Sequence, residues 1–195
     1  MVETVVELCT RRIPDRFRLN TMSEIQVLSP MHKGAVGTIN LNRVLQEALN
    51  PCSTQIECMG SLFKIGDKVM HLKNNYHKEV FNGDIGLIDD IDKKKRCISI
   101  DYYGRNVFYN YEELSEISLA YAISVHKSQG SEYPAVVIPI VNQHRILLQR
   151  NLLYTAITRG IKLVVLIGTK EAFHMALAND KPKKRLSGLD QRLVA

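Results

Sequence analysis

Apolar positions along the chain follow two different spacings, and the change between them divides the sequence into three parts. Before residue 60 and after residue 118, apolar residues form short continuous runs or recur every three or four positions, as they do in buried strands and amphipathic helices. From Leu62 to Leu114 the runs are short and alternating, and turn signals such as Asn82-Gly83 separate them, which is typical of antiparallel strands. The pattern predicts an α/β domain interrupted by a β-rich insertion.

The two outer parts predict one parallel layer of strands and helices. The predicted elements are a helix at Val2–Ile13 ended by Pro14, a strand at Ile25–Pro30, a helix from Ile39 to Leu49, strands at Leu119–Ile123 and Ala135–Pro139, a helix at Arg145–Arg159, a strand at Lys162–Gly168, and a last helix from Thr169 to near Asn179. We assign Lys162–Gly168 to the centre of the sheet because its apolar run is continuous.

The insertion is predicted to hold four or five short strands, which fits a small SH3-like barrel. We therefore expect a discontinuous α/β domain at residues 1–60 and 115–180, a barrel at 61–114 and a basic tail at 181–195. Five of the eight tyrosines lie between Tyr76 and Tyr111. They either pack within the barrel or form a surface on which bases stack, and both interpretations stay open.

Composition and charge narrow the class of protein. Lysine and arginine total 26 against 20 aspartates and glutamates, an excess that suits a polyanionic partner, although the cluster at Lys181–Arg185 also fits a solvated tail. No stretch approaches the roughly 18 apolar residues of a membrane helix, and the N-terminus lacks the order of a signal peptide. We expect a cytoplasmic protein without membrane contact. The four scattered cysteines predict reduced packing residues and no metal site.

Several catalytic motifs are absent from the 195 residues. No Gly-Lys dipeptide occurs, so there is no phosphate loop. No Asp-Glu pair follows an apolar strand, so the carboxylate that holds Mg²⁺ in nucleotide hydrolases is missing too. These residues alone are not expected to hydrolyse ATP.

Polar and cationic side chains follow two of the predicted strands. Ser124, His126 and Lys127 come after one apolar run, and His32 and Lys33 come after another. Hydroxyls, cations and backbone amides at strand ends bind phosphate oxygens without reading a base sequence. The alternative is a polar loop that only covers the end of a strand. Two such loops on one sheet edge favour a crevice for a nucleic acid or nucleotide.

Arg159 closes the predicted helix just before Gly160. A cation in a last helical turn complements the helix dipole, and this explanation needs no ligand. The functional alternative is an arginine finger, a planar cation directed at a transferring γ-phosphate.

Three segments resemble helicase motifs of the RecD-like branch of superfamily 1, the exodeoxyribonuclease V alpha-subunit type. Ala120-Tyr-Ala-Ile-Ser-Val-His-Lys-Ser-Gln-Gly-Ser-Glu132 resembles motif V, Leu153-Tyr-Thr-Ala-Ile-Thr-Arg159 resembles motif VI, and Gln26-Val-Leu-Ser-Pro-Met-His-Lys-Gly34 resembles motif IV. The resemblance runs from about Ile25 to about Ala178. It implies the C-terminal half of such a helicase: a second RecA-like domain with a parallel sheet and an inserted SH3-like β-barrel.

The resemblance also implies an activity. In this family two RecA-like domains enclose ATP and Mg²⁺ and translocate on single-stranded DNA in the 5′ to 3′ direction. The expected partners are single-stranded DNA, the N-terminal RecA-like domain and possible nuclease or recombination subunits. Motifs I to III do not occur in the sequence, so we expect an excised piece or a truncated gene product that binds no ATP stably and is inactive alone. The alternative is a non-enzymatic module that binds single-stranded DNA or docks a protein.

By the same resemblance, individual residues receive roles. Arg159 is the expected catalytic residue, contacting the γ-phosphate. The expected nucleotide-binding residues are Lys33, Gln129, Gly130, Glu132 and Arg159, and the expected DNA-binding residues are Pro30, Met31, His32, Ser124, His126 and Lys127. Whether Lys33 faces nucleotide or DNA stays open. Ser124 stands where the motif more often has threonine, and its hydroxyl keeps the contact.

Overall fold

The computed structural model describes residues 1–58, 60–141 and 149–180. Its helices are α1 (Val2–Glu7), α2 (Ile13–Phe17), α3 (Thr21–Glu24), α4 (Thr38–Leu49), α5 (Arg150–Ile157) and α6 (Lys170–Ala178). Its strands are β1 (Ile25–Ser29), β2 (Gln55–Cys58), β3 (Ser61–Lys64), β4 (Lys68–His71), β5 (Ile85–Asp92), β6 (Cys97–Tyr102), β7 (Arg105–Asn110), β8 (Ile117–Leu119), β9 (Ala122–Ser124), β10 (Tyr133–Ile140) and β11 (Gly160–Gly168). A π-helical turn (Leu8–Arg12) joins α1 to α2, and 3₁₀ turns occupy Tyr111–Glu116 and His126–Ser128.

A parallel sheet forms the larger layer, with strand order β11-β10-β1-β9. Ser29 at the end of β1 lies beside Ser124 at the end of β9, and Ile25 lies beside Ala135 of β10. One face packs against α1 and α4, and the other packs against α5 and α6. Helices on both faces explain why the strands have continuous apolar runs. The predicted parallel α/β layer is confirmed.

The prediction that Lys162–Gly168 is the central strand is wrong, because β11 lies at the edge of the four described strands. Leu163, Val165 and Ile167 pack on the core beneath α1 and α4, while Val164 packs on the core beneath α5 and α6. The apolar run is therefore continuous because helices cover both faces of the strand, and that condition can hold at an edge as well as at the centre.

The strand predicted at Leu119–Ile123 is divided between two sheets. Leu119 ends β8 and pairs with Val69 of the inserted sheet, whereas Ala122 begins β9 and pairs with Val27. Tyr121, between them, is buried. The sequence shows one apolar run because both halves are buried, although each half is buried in a different core.

Pro14 does not end the first helix as predicted. In the π-helical turn the N–H of Ile13 donates to the carbonyl of Leu8, five residues back, and proline has no N–H. The carbonyl of Cys9 therefore lacks its usual helical donor and accepts a hydrogen bond from Thr21 Oγ1 at 2.9 Å instead. The change of register and one threonine side chain let the helix continue past the proline.

The inserted segment, together with β8 just after it, forms a five-stranded antiparallel sheet in the order β7-β6-β5-β4-β8. The β2–β3 hairpin precedes this sheet in sequence, and its first strand, β2, lies before residue 61. The insertion has a core of its own, built around Phe63, Ile98, Ile100 and Tyr109. The tyrosine hydroxyls of Tyr102 and Tyr109 lie 3.3 Å apart inside this core. The predicted β-rich insertion is confirmed.

Two predictions lie partly or wholly outside the described residues. Helix α5 begins at Arg150, and residues 145–148 of the longer predicted helix fall outside the described ranges. The basic tail at 181–195 does so as well. Within the described ranges no helix is both long and apolar enough to cross a membrane.

Candidate nucleotide and nucleic-acid interface

The two loops that carry the candidate residues are neighbours at one edge of the parallel sheet. The β1 loop (residues 30–37) follows Ser29, and the β9 loop (residues 125–132) follows Ser124. These two serines are direct partners in the pairing of β1 with β9. The sequence prediction that the loops share a sheet edge is confirmed.

The β1 loop is wound tightly against the start of α4. The Ser29 hydroxyl donates to the carbonyl of Val36 at 2.7 Å. The N–H groups of Thr38 and Ile39 donate to the carbonyls of Met31 and His32 at 2.9 and 3.1 Å. The first two amides of α4 are therefore satisfied within the chain.

Gly37 makes this close winding possible. A Cβ at this position would lie 2.5 Å from the carbonyl oxygen of Lys33 and 2.6 Å from that of His32. Both atoms belong to the backbone, so the loop itself would have to move.

Gly37→Ala is expected to lower the free energy of unfolding by about 1–3 kcal/mol, the usual cost of overpacking. Urea denaturation measures it. Gly104→Ala is the matched comparison: its φ is +89° but nothing lies within 4 Å of its Cβ position, so it should lose only the backbone-strain cost of about 1 kcal/mol. A Gly37→Ala variant as stable as the parent would contradict the clash.

A cleft of about 280 Å³ lies between the two loops and the inserted sheet. From the loops it is lined by His32, Ser124 and Lys127, and from the insertion by Met70, Leu72 and Ser118 among others. Three of the six predicted DNA-binding residues therefore line one cavity. On the opposite wall, Met70 of β4 and Leu72 just after it are apolar, and Ser61 and Ser118 add two hydroxyl groups.

The β9 loop starts with a short 3₁₀ turn, His126–Ser128. The Ser124 side-chain oxygen accepts a hydrogen bond from the backbone N–H of Lys127 at 3.3 Å. Desolvation lowers the pKa of the Lys127 ammonium group. The contact fixes where the lysine leaves the backbone at the mouth of the cleft.

The other predicted DNA-binding residues lie on the same loops but do not line this cleft. Pro30 is buried, Met31 is half-buried and His126 is exposed. The loops bring all six residues to one edge of the sheet, but they give only three of them a place in the cavity.

Arg159 is bound to the β9 loop. Its Nη1 donates to the carbonyl of Ser131 at 3.1 Å, its Nε donates to the carbonyl of Thr155 at 3.3 Å, and its Nη2 donates to the hydroxyl of Thr158 at 3.3 Å. All three acceptors are neutral, and no carboxylate of the described residues forms an ion pair with Arg159. The guanidinium is thus ordered and half-buried, and its charge is not neutralised.

Ser131 lies between Gly130 and Glu132, so this contact joins the predicted nucleotide-binding residues of two separate segments. Gln129, Gly130 and Glu132 are exposed beside it. The backbone N–H of Tyr133 also donates to the Arg159 carbonyl at 2.8 Å. The two segments form one continuous surface.

Lys33 is not part of that surface. Tyr133 and Gly160, the first residues of β10 and β11, lie side by side, which places Arg159 at the amino ends of the strands. Lys33 follows the carboxyl end of β1. With a rise of about 3.3 Å per residue, a five-residue strand separates the two edges by roughly 17 Å. Lys33 shares its edge with His32, Ser124 and Lys127.

Sequence reasoning missed several residues that build this region. Asn42 of α4 donates to the carbonyl of Ala122 at 2.9 Å and accepts from its N–H at 2.8 Å. It thereby holds the free edge of β9. The amides Asn42, Gln46 and Asn50 recur every four residues along α4 and its C-terminal cap, a spacing that places Asn42 and Gln46 on one helix face and could have indicated a common role.

The tyrosines of the insertion divide between the two interpretations. Tyr102 and Tyr109 are buried in its core, whereas Tyr76 and Tyr103 are 75% and 92% exposed. Tyr111 is partly buried against the same core, so packing accounts for three of the five tyrosines and not for Tyr76 and Tyr103.

Comparison with known proteins assigns the two parts of this architecture. Residues 41–102 match the family model of the SH3 domain of ATP-dependent RecD-like DNA helicases. Residues 119–167, which include the β9 loop and Arg159, match the UvrD-like helicase C-terminal domain. The chain has the C-terminal domains of a RecD-like superfamily 1 helicase.

Curated relatives agree with this assignment. The ATP-dependent RecD2 DNA helicase of Deinococcus radiodurans is 33% identical over 167 residues, which cover 86% of this chain and 23% of the relative. The RecBCD enzyme subunit RecD of Mycolicibacterium smegmatis is 28% identical over 178 residues, 91% of this chain and 31% of the relative. The RecD-like chain thus spans about a quarter to a third of the length of these relatives.

A solved structure supports the fold. The Pif1 helicase from Bacteroides, in complex with ADP-AlF3 and single-stranded DNA, superposes with a TM-score of 0.59 at 16% identity and covers 99% of this chain and 49% of that one. The likeness confirms a parallel helicase sheet with an inserted barrel. The RecD-like fold predicted from the sequence is therefore correct.

Proposed function

We propose that the chain supplies the second motor domain of an ATP-dependent DNA helicase that translocates on single-stranded DNA. The observation that carries this proposal is the Arg159–Ser131 hydrogen bond of 3.1 Å. It joins Arg159, whose charge no described carboxylate neutralises, to the nine-residue segment Ser124–Glu132. The first part of this segment, including Ser124 and Lys127, lines the cleft. A change in the position of the Arg159 side chain can therefore be transmitted to the cleft through this short segment.

On the nucleotide side, Arg159 is the proposed arginine finger, and Gln129, Gly130 and Glu132 lie next to it. A guanidinium held by neutral carbonyl and hydroxyl oxygens loses little when a phosphate takes their place. ATP with Mg²⁺ supplies the phosphoryl-transfer chemistry when bound. The sequence contains no phosphate loop, so we propose that a first motor domain completes the site and that this chain is inactive without it.

On the DNA side, His32, Ser124 and Lys127 are proposed to contact the sugar-phosphate backbone. Hydroxyl and cationic groups suit phosphate oxygens, and the apolar wall of Met70 and Leu72 suits the faces of bases. Lys33, Pro30, Met31 and His126 complete the edge. The position of Lys33, opposite to Arg159, favours DNA over nucleotide as its partner.

Relatives named as RecBCD subunits add a proposal about assembly. The chain, within its helicase, works beside nuclease or recombination subunits. The exposed aromatic pair Tyr76 and Phe81, with ring centroids 6.0 Å apart, supports the proposal of a second, separate binding surface on the insertion. This favours a docking or stacking role for the barrel as the alternative function.

Lys127→Ala is expected to weaken binding of oligo-dT by the chain and to reduce the salt dependence of that binding. The slope of log K against log salt concentration is negative, and loss of one phosphate contact reduces its magnitude by about 0.7 for a single strand. Fluorescence anisotropy at several salt concentrations measures both quantities.

Lys162→Ala is the matched control, because Lys162 is an exposed lysine on β11, at the far edge of the sheet. It removes the same charge and should leave the slope unchanged. Equal slopes for the two variants would argue against the proposed DNA site.

A further inference from the structure

Two adjacent charged residues, Asp67 and Lys68, lie buried where the barrel joins the parallel sheet. They are 0% and 2% exposed. The Asp67 carboxylate accepts four hydrogen bonds at 2.5–2.9 Å, from Gln46 Nε2, Asn50 Nδ2, the backbone N–H of Lys64 and the hydroxyl of Tyr121. These donors come from three segments of the chain, namely α4 with its C-terminal cap, β3, and the connection between β8 and β9, so one carboxylate fixes their mutual positions.

Lys68 makes the complementary connection. Its ammonium group donates to the carbonyl of Ile25, the first residue of β1, at 3.2 Å. Its own carbonyl accepts from the N–H of Ala120 at 2.8 Å. The start of β4 is therefore tied both to the parallel sheet and to the connection that leads back to it.

Helix α4 connects the junction at Asp67 and Lys68 to strand β9 and the loop that follows it. Asn42 holds the backbone of Ala122 at the start of β9, while Gln46 and Asn50 hold Asp67. Asn42 and Gln46 lie on one face of the helix because they are four residues apart, and Asn50 follows the last residue of the helix. One rigid element thus sets the distance between β9 and the first turn of the barrel.

The far end of β4 lines the proposed DNA cleft. Met70 and Leu72 lie three and five residues beyond Asp67, which corresponds to about 10 and 17 Å along an extended chain. Both line the cleft opposite Ser124 and Lys127. A rotation of β4 at Asp67 would move this wall relative to the β9 loop and change the width of the cleft.

We infer that Asp67 is a positioning residue that sets the width of the DNA cleft; this inference rests on the proposed function. Apolar residues of similar size would bury the same area, but they would not fix a single angle between the barrel and the sheet. Four donors arranged around one acceptor do fix it, because any rotation leaves a buried donor unpaired.

The test is Asp67→Asn in the 195-residue chain. All four neighbours are donors, and an amide turns its own N–H groups toward some of them. The dissociation constant for oligo-dT should rise about tenfold relative to the control, with an unchanged salt slope, because the phosphate contacts stay and the apolar wall moves. Asp90→Asn is the control: it removes the same charge from an exposed position on β5.

Stoichiometric titration with oligo-dT measures the fraction of each variant that can bind DNA. This measurement distinguishes a change in cleft geometry from a loss of folded protein. A dissociation constant equal to that of Asp90→Asn, with or without a smaller active fraction, overturns the inference. If Asp67→Asn does not fold, Tyr121→Phe removes one donor without a change of charge and should raise the constant by a smaller factor; no rise overturns the inference too. Should Lys127→Ala leave the salt slope intact, the DNA site itself fails, and the inference falls with it.

Discussion

Replacing Arg159 with alanine should lower ATP turnover by about 10³-fold or more when the chain is joined to a first motor domain that carries a phosphate loop. The variant removes a guanidinium that hydrogen-bonds, among the described residues, to neutral oxygens at and beside the β9 loop. A finger acts on charge that develops in the transition state, so kcat should fall far more than KM changes.

Lysine at the same position tests the geometry of the guanidinium. Arg159→Lys keeps the charge but loses the planar arrangement of donors that spans Ser131 and Thr155. It should recover only part of the lost activity. The expected order of turnover is arginine, lysine, alanine, and steady-state ATP hydrolysis with saturating single-stranded DNA measures it.

Arg150→Ala is the matched control, because Arg150 is the first residue of α5 and Arg159 lies just past its other end. Arg150 lies at the opposite end of α5, where it bonds Asp180 and the carbonyl of Leu177. Turnover within about twofold of the parent is expected, since no proposed site residue contacts it. If Arg159→Ala behaved like Arg150→Ala, the arginine would be a helix-terminal cation only, as its position in the sequence also allows.

The sequence predicted the parts of this chain that depend on local order. The shared edge of the β1 and β9 loops follows from two apolar runs, each ended by polar residues, because parallel strands end on the same side of a sheet. The β-rich insertion follows from turn chemistry and spacing in the same way. These features are decided by residues that are neighbours in the chain.

The features that the sequence did not predict depend on contacts between distant residues. The division of Leu119–Ile123 between two sheets is set by pairing with Val69 and Val27. The position of Lys33 opposite Arg159 depends on strand order. No local pattern at Asp67 or Lys68 distinguishes a buried charge from the polar side of an alternating strand.

Lys68→Met should raise the free energy of unfolding at pH 7 by about 1–3 kcal/mol, the gain usual when a buried charge is replaced by an apolar residue of similar size. Lys68 is buried, its ammonium group donates one hydrogen bond to Ile25, and none of the described carboxylates forms an ion pair with it. Burial lowers its pKa from 10.5 to about 8. The protein thus folds at neutral pH around a poorly solvated cation.

The pH dependence of the free energy of unfolding gives a second test of the buried Lys68. Between about pH 8 and 10.5 the unfolded chain holds a proton on Lys68 that the folded chain has released, so this residue makes stability rise with pH. Burial also raises the pKa of the Cys9 thiol from 9.0 to about 12, and above pH 9 that group makes stability fall. The difference between parent and Lys68→Met isolates the lysine: the advantage of the variant should shrink steadily from pH 8 to 10.

Urea denaturation at pH 7, 8, 9 and 10 measures that difference, with Lys162→Met as the exposed control that should show no trend. A Lys68→Met variant less stable than the parent at pH 7 would mean that the bond to Ile25 outweighs the cost of burial. The expected gain has a further consequence for the junction. If the more stable variant also binds oligo-dT more weakly, stability and cleft geometry oppose each other at Lys68, and the buried charge is retained for the angle that it sets between the barrel and the sheet.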